Sequence, residues 1–308
     1  MTIAPSKIGI DISKAWLDIF DATTGRASRI ANAPVEIEAF LASLPEVSCL
    51  AFEATGPHDT ALRQALSKPS LRSARLNPAR VREYARYKGF LAKTDAIDAR
   101  ILAMMACEVE FGLDQVYDTG REALAALHRR RDQLVDQRAA ERTRIADAPD
   151  QRERESLKRH MAFLDGEIAT IEAEIEALLE QPAFAAKVAI LRSLKGVGPV
   201  TATTLLALLP ELGTLSHKAI AALAGLAPFN CDSGKFRGQR HIRGGRARVR
   251  RALYMAALNA IRAIPRFKDQ YTAIAARSGV RKVGVVAVAR KLLVTLNAML
   301  REGKPFAA

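Results

Sequence analysis

The chain has 308 residues, 49% of them apolar, which is enough for one large or two smaller domains with real cores and excludes a disordered tail. The formal net charge of +14 points to a polyanionic partner, and its distribution is uneven. Residues 1–189 carry 26 Lys+Arg against 29 Asp+Glu, a net of −3, whereas residues 190–308 carry 21 against 4, a net of +17. Cys49, Cys107 and Cys231 form no CxxC pair, so neither a disulfide framework nor a zinc site is indicated and a reducing cytoplasm fits.

At the N-terminus the apolar run IGIDI is broken by Asp11 and Lys14, so no secretory signal core is expected. KIGIDIS and AWLDIFDA predict a hairpin, ASRIANA a third strand, and SCLAFEA and LRSARLN two more, with helices between and after them. Thr55-Gly56-Pro57 and Asn77-Pro78 mark strand-to-helix turns. Four carboxylates fall at informative places in this α/β region. Asp11 lies in KIGIDISKAW and Glu53 in LAFEATGP, both near the ends of apolar β-type runs; Asp95 and Asp98 lie in KTDAIDARILA, three residues apart on one face of a helix. An oxygen-rich set of this kind suits Mg²⁺, and a metal pair about 3.5–4 Å apart serves in-line displacement at phosphorus. The plainer alternative makes the strand acids turn or cap residues and the helical pair first-turn carboxylates facing the helix dipole. The order strand, strand, helix favours the metal reading. Between Leu71 and Lys93, seven basic residues stand against Glu83 alone, which suits a nucleic-acid groove and a solvated helix face equally.

From residue 121 to 181 the texture becomes charged, glycine-poor helix. Leu157, Met161, Leu164, Ile168, Ile171, Ile175 and Leu178 recur at alternating spacings of four and three, a heptad seam. The preceding arm (Leu124, Leu127, Leu134, Ile145) is less regular and carries Arg131 and Arg138 on its seam; Ala148-Pro149-Asp150 is the predicted hairpin between the arms. The expectation is an antiparallel helical coil, serving either as an internal two-helix bundle or as a surface for dimerisation or RNA.

Residues 182–308 predict a basic, mostly helical domain. VTATTLLALLPEL is interrupted by Pro210, and VGVVAVARKLLVTLNAML carries Arg290 and Lys291 at its centre, so neither reads as a membrane span. LKGVGPVTATTLLALL has the glycine hairpin and following helix of a helix-hairpin-helix element, in which the amides of Gly196 and Gly198 would grip a phosphate; an ordinary Gly-Pro turn has the same appearance. In CDSGKFRGQRHIRGGRARVRRAL, residues 234–251 hold eight Lys+Arg, no acid and four glycines. Lys235, Arg237, Arg240, Arg243, Arg246 and Arg248 are the candidate phosphate contacts. Six to eight such cations on DNA correspond to a log–log salt slope of roughly −5 to −7. Ser233 heads the loop. Ser-Gly is a common turn dipeptide, and a hydroxyl becomes a nucleophile only with a base, cations or a metal to activate it. His241 is the nearest imidazole in sequence, though a His amid arginines more often meets phosphate or solvent.

A β meander ending on an acid-bearing helix resembles the RNase H arrangement. Taken with the coil, GVGPVTA and LAPFNCDSGKFRGQRHIRGGRARVRRALYMAAL, the chain resembles the DEDD transposases of bacterial insertion sequences in the IS110 family, the bridge-RNA-guided recombinases. The likeness runs over essentially the whole chain, whose length is that expected of a complete member. The resemblance implies an α/β RNase H-like (RuvC-like) catalytic domain over 1–120, a helical coiled-coil insertion over 121–181, and a mostly α-helical C-terminal domain over 182–308 with a helix-hairpin-helix-like element and a serine loop. It implies Asp11, Glu53, Asp95 and Asp98 as ligands of Mg²⁺ and Ser233 as the nucleophile joined covalently to DNA, in a composite site within a multimer that holds an RNA and two DNAs. Expected partners are double-stranded DNA, a structured guide RNA and further copies of the chain as a dimer or tetramer, in the bacterial cytoplasm at the nucleoid, with no membrane. Where many members read Lys-Arg-Gly-Asn, this chain has Arg243-Gly244-Gly245-Arg246. Two rival readings use the same residues: a RuvC-type junction nuclease with water as nucleophile, and a non-catalytic nucleic-acid-binding protein.

Overall fold

The first three apolar runs form an antiparallel meander in the computed structural model: β1 (Lys7–Ile12), β2 (Trp16–Asp21) and β3 (Arg26–Ala31). The structure describes residues 7–45, 48–54, 56–67, 71–90, 95–108, 117–230, 232–233, 236–238 and 240–307, with the backbone alone at 95–96, 232–233 and 236–237. Thr55 and Cys231 lie outside the described residues. The chain divides into two compact units, Met1–Asp118 and Thr119–Ala308.

In the first unit β4 (Cys49–Glu53) and β5 (Arg72–Leu76) add in parallel beyond β1, giving the order β3-β2-β1-β4-β5. Crossovers through α1 (Pro34–Ala42) and α2 (Thr60–Ala65) make these pairings parallel. All five predicted strands are present, and the mixed sheet is compatible with an RNase H-like domain. Period-two alternation divides the sheet's faces. Ile8, Ile10, Ile12, Leu50 and Phe52 pack with Ile37 of α1 and Leu62 of α2. Ala51 and Ala74 pack on the other face with Ile101, Leu102, Met105 and Ala106 of α4 (Asp95–Glu108). α3 (Pro78–Tyr87) enters behind Asn77, whose Oδ1 accepts from the Ala79 amide.

Gly9 fixes the distance between α4 and the sheet. A Cβ there would lie 2.0 Å from the Ala99 carbonyl oxygen and 2.3 Å from the Ala103 nitrogen, so the helix backbone rests directly on β1.

The second unit begins with α5 (Thr119–Asp147) and α6 (Gln151–Leu179), antiparallel across residues 148–150, with Asp150 Oδ1 capping α6 through the amides of Arg152 and Glu153. Leu134 meets Leu164 and Ile168 midway along the pair. The seam cations of α5 are satisfied across it: Arg131 donates to Glu172 at 2.9 Å and Arg138 to Asp165 at 2.7 Å. At the root, Leu124, Ala125, Ile175 and Leu179 enter the core formed by α7 (Pro182–Arg192), α8 (Pro199–Leu208), α9 (His217–Leu223), α10 (Ala247–Ala263), α11 (Pro265–Ser278) and α12 (Arg281–Glu302). Among the described residues α12 is long and apolar enough to cross a membrane by length and composition, but Val288, Ala289, Leu292, Leu293 and Leu296 are fully buried in this core. Its buried Asn297 accepts from the Gly213 amide at 2.8 Å and donates to the Leu215 carbonyl at 3.0 Å, pinning the turn before α9.

His128 of α5 is buried beside α8. The Thr204 hydroxyl donates to the Val200 carbonyl at 2.7 Å, so at 3.2 Å it accepts from His128 Nε2–H; Nδ1 is then an unprotonated nitrogen with no partner among the described residues. Burial pushes the His128 pKa below its ordinary 6.5; Asp132 opposes this, and Arg131 and Arg248 add to it.

Two outcomes are expected. Gly9→Ala forces α4 off β1 and lowers unfolding free energy in urea by about 1–3 kcal/mol. Because His128 binds its proton more weakly folded than unfolded, its contribution is complete above pH 6.5 and is lost as pH falls below that value. The melting temperature therefore drops between pH 7 and 5.5, and His128→Leu flattens that drop.

Candidate active site and nucleic-acid interface

In the first unit the strand registers assemble the acids. Asp11 follows Gly9 by two residues and Glu53 follows Ala51 by two, so both lie on the α4 face of the sheet. Parallel pairing of Ile10 with Phe52 sets Asp11 next to Glu53 on adjoining strands. α4 runs antiparallel to β1: Gly9 touches Ala99 and Ala103, while Lys7 acts electrostatically on Cys107 near the far end. The first turn of α4, which holds Asp95 and Asp98, therefore falls at the Asp11 end. Asp11, Glu53 and Asp98 are half-buried; the Asp95 side chain lies outside the described residues.

A further acid belongs to this row. Asp18 on β2 stands directly opposite Asp11 on the same face, and the next strand carries its partner: Arg29 Nε and one terminal nitrogen grip the carboxylate at 2.9 and 3.0 Å. Sequence reasoning missed Asp18, although the hairpin register of KIGIDI on WLDIFD was enough to find it. The donors are all carboxylates, the oxygen chemistry that Mg²⁺ accepts. Among the described residues no three His, Cys, Asp or Glu side chains stand close enough to hold an ion, and Asp95 is not among the side chains searched.

In the second unit the two hairpin glycines behave differently. Gly196, at φ +112°, packs against α10, where a Cβ would lie 2.7 Å from the Ala260 nitrogen. Gly198 is the exposed N-cap of α8, with Pro199 at the first helical position, no side-chain cap and open space around it among the described residues. The α8 N-terminus thus presents amides to solvent beside exposed Lys195.

The basic loop is two nested ribbons. β6 (Pro228–Phe229) pairs with β9 (His241–Ile242), and between them β7 (Asp232–Ser233) pairs with β8 (Phe236–Arg237), setting Ser233 opposite Phe236. Lys235 and the side chains of Ser233 and Arg237 lie outside the described residues. Arg240, His241 and Arg243 are exposed, with the Arg243 guanidinium 5.0 Å from the Phe229 ring centroid. Beyond them the loop is clamped to the protein. A Cβ on Gly245, at φ +67°, would lie 2.2 Å from the Gly225 nitrogen, and Arg250 donates to the Gly244 carbonyl at 2.7 Å. These glycines serve close approach of two backbone segments of the protein itself. Arg246 is engaged within the unit, bidentate on Glu211 at 2.5 and 2.7 Å and on the Leu208 carbonyl at 3.0 Å. Arg248 lies 3.7 Å from Asp132 and is nearly half exposed.

Two family models match the chain: a DEDD-type model described as Transposase over residues 8–151, and the Transposase IS116/IS110/IS902 family over residues 188–272. The "Pilin gene-inverting protein" of Moraxella lacunata is 27% identical over 270 residues, 83% of this chain and 81% of that protein. The "Insertion element IS110 uncharacterized 43.6 kDa protein" of Streptomyces coelicolor is 32% identical over 152 residues, 48% of this chain and 36% of that protein. The "Insertion element IS900 uncharacterized 42 kDa protein" of Mycobacterium paratuberculosis is 32% identical over 149 residues, 47% of this chain and 37% of that protein. The matched segments thus span little more than a third of the insertion-element relatives' length. With one model lying over the acid-bearing sheet and the other over the basic helices, the chain belongs to the IS110 family of insertion-sequence transposases.

Proposed function

We propose that the protein is a DNA recombinase of an insertion sequence, which cuts and rejoins double-stranded DNA through a covalent link to Ser233 and takes its target from a guide RNA in an assembly of several copies. The observation that carries the reading is the register that sets Asp11 beside Glu53 at the head of α4. Asp11, Glu53, Asp95 and Asp98 are the residues that would hold Mg²⁺, which when bound supplies Lewis-acid polarisation of a phosphate oxygen. Ser233 Oγ forms a bond to phosphorus as the bond from phosphorus to one strand's sugar oxygen breaks. The serine proton departs, and the leaving oxygen takes one up. A hydroxyl of the exchanging strand then attacks the phosphoserine, which reforms the phosphodiester and returns the serine. Bond energy is conserved throughout, as gene inversion of the kind named for the Moraxella relatives requires; water as the nucleophile would release it.

The cations divide the remaining work. Arg240 and Arg243, with Lys235, Arg237 and Arg248, neutralise backbone phosphates, and the exposed α8 amides at Gly198 seat another. Arg246 anchors the loop through Glu211.

With the protein, its element's RNA, junction DNA and Mg²⁺, a denaturant-resistant protein–DNA adduct is expected, absent for Ser233→Ala and for Asp11→Asn. Cleavage without an adduct, equal in wild type and Ser233→Ala, would establish a water-using nuclease instead. Arg240→Ala is expected to reduce the salt slope of duplex binding by about 1. Arg246→Ala leaves that slope unchanged and lowers the melting temperature.

A further inference from the structure

The outer ribbon of the basic loop carries an aromatic ring beside its cations, which phosphate neutralisation alone does not use. Phe229 and His241 pair directly across β6 and β9, so their side chains share one face, and Arg243, just past the end of β9, reaches the Phe229 ring. All three are exposed, Phe229 by 43%. The Arg243 guanidinium stands 5.0 Å from the Phe229 centroid, a cation–π distance that orients the ring and its plane of donors together. The alternate residues, Pro228 and Ile242, lie on the opposite side, and Ile242 is half-buried. Among the described residues Phe229 is not part of the unit's hydrophobic core. Its surroundings contain eight Lys+Arg and no acid over residues 234–251, which selects a polyanion as the occupant.

We infer that Phe229, flanked by Arg243 and His241, is a stacking platform for an unpaired nucleobase of a DNA strand. An aromatic face bordered by cations holds a base by stacking and the adjoining phosphate by charge, and it requires the base to be out of the duplex. DNA is the source because the ribbon encloses the hairpin that presents Ser233, whose substrate is DNA; on this point the inference rests on the function proposed above. The base held by Phe229 would therefore lie close along the strand to the phosphate that Ser233 attacks, and stacking would keep that strand from re-pairing while it is broken.

The test is fluorescence anisotropy of the full-length protein with a labelled 12-nucleotide single strand, with the same sequence as duplex, and with its RNA equivalent. Phe229→Ala is expected to weaken single-strand DNA binding by about tenfold or more and duplex binding by less than about twofold. Phe229→Leu, which keeps bulk and apolarity without a π-face, is expected to weaken it as Ala does, and Phe229→Trp to restore it. Wild-type affinity in Phe229→Leu would overturn the platform, as would equal losses on single strand and duplex. A loss confined to the RNA strand would overturn the assignment to DNA. Ser233→Ala run in parallel keeps the two readings apart: it is expected to retain Phe229-dependent single-strand binding, so failure of the adduct and failure of the platform register in different measurements.

Discussion

The contact between Gly9 and the backbone of α4 is the constraint on which the acid row depends. A helix carried on a sheet through ordinary side chains stands about 10 Å away, and short carboxylates on the two elements then remain apart. Here one missing Cβ lets the Ala99 carbonyl and the Ala103 amide rest on β1. Asp11 and the first turn of α4 are brought into the same neighbourhood by backbone contact, which is stiffer than any side-chain arrangement. The in-register parallel pairing of β1 with β4 adds Glu53 by the same backbone logic.

The second unit applies a different economy to its cations. Arginine appears along α5 and through the basic loop at similar density, yet the structure sorts it into two roles. Arg131, Arg138 and Arg246 meet carboxylates at hydrogen-bonding distance and hold elements together. Arg240 and Arg243 stay exposed on the outer ribbon. Net charge favours a polyanion in general, but between these two groups only the second could exchange its counterions for phosphates.

Much of this was legible in the sequence because the signals were local. The five strands announced themselves as short runs with apolar residues between turn residues, and the α6 seam through its spacing; both depend on residues within a few positions of one another. Asp18 was missed because its importance comes from cross-strand pairing with Asp11, not from any motif. The close approach of Gly245 to Gly225, some twenty residues earlier, is illegible for a similar reason. Arg246 likewise reads as one cation among eight until Glu211 is placed beneath it. Partners distant in sequence leave no periodicity to read.

The helix pair of α5 and α6 is rooted in the same core that supports the basic loop, and Asp132, about midway along α5, stands 3.7 Å from Arg248 at the start of α10. Each arm has 29 residues, about 43 Å of helix. A macromolecule gripping the far tip would act on a long lever whose fulcrum lies in the core that carries the basic loop, so a small force applied there becomes a large torque at the base of that loop.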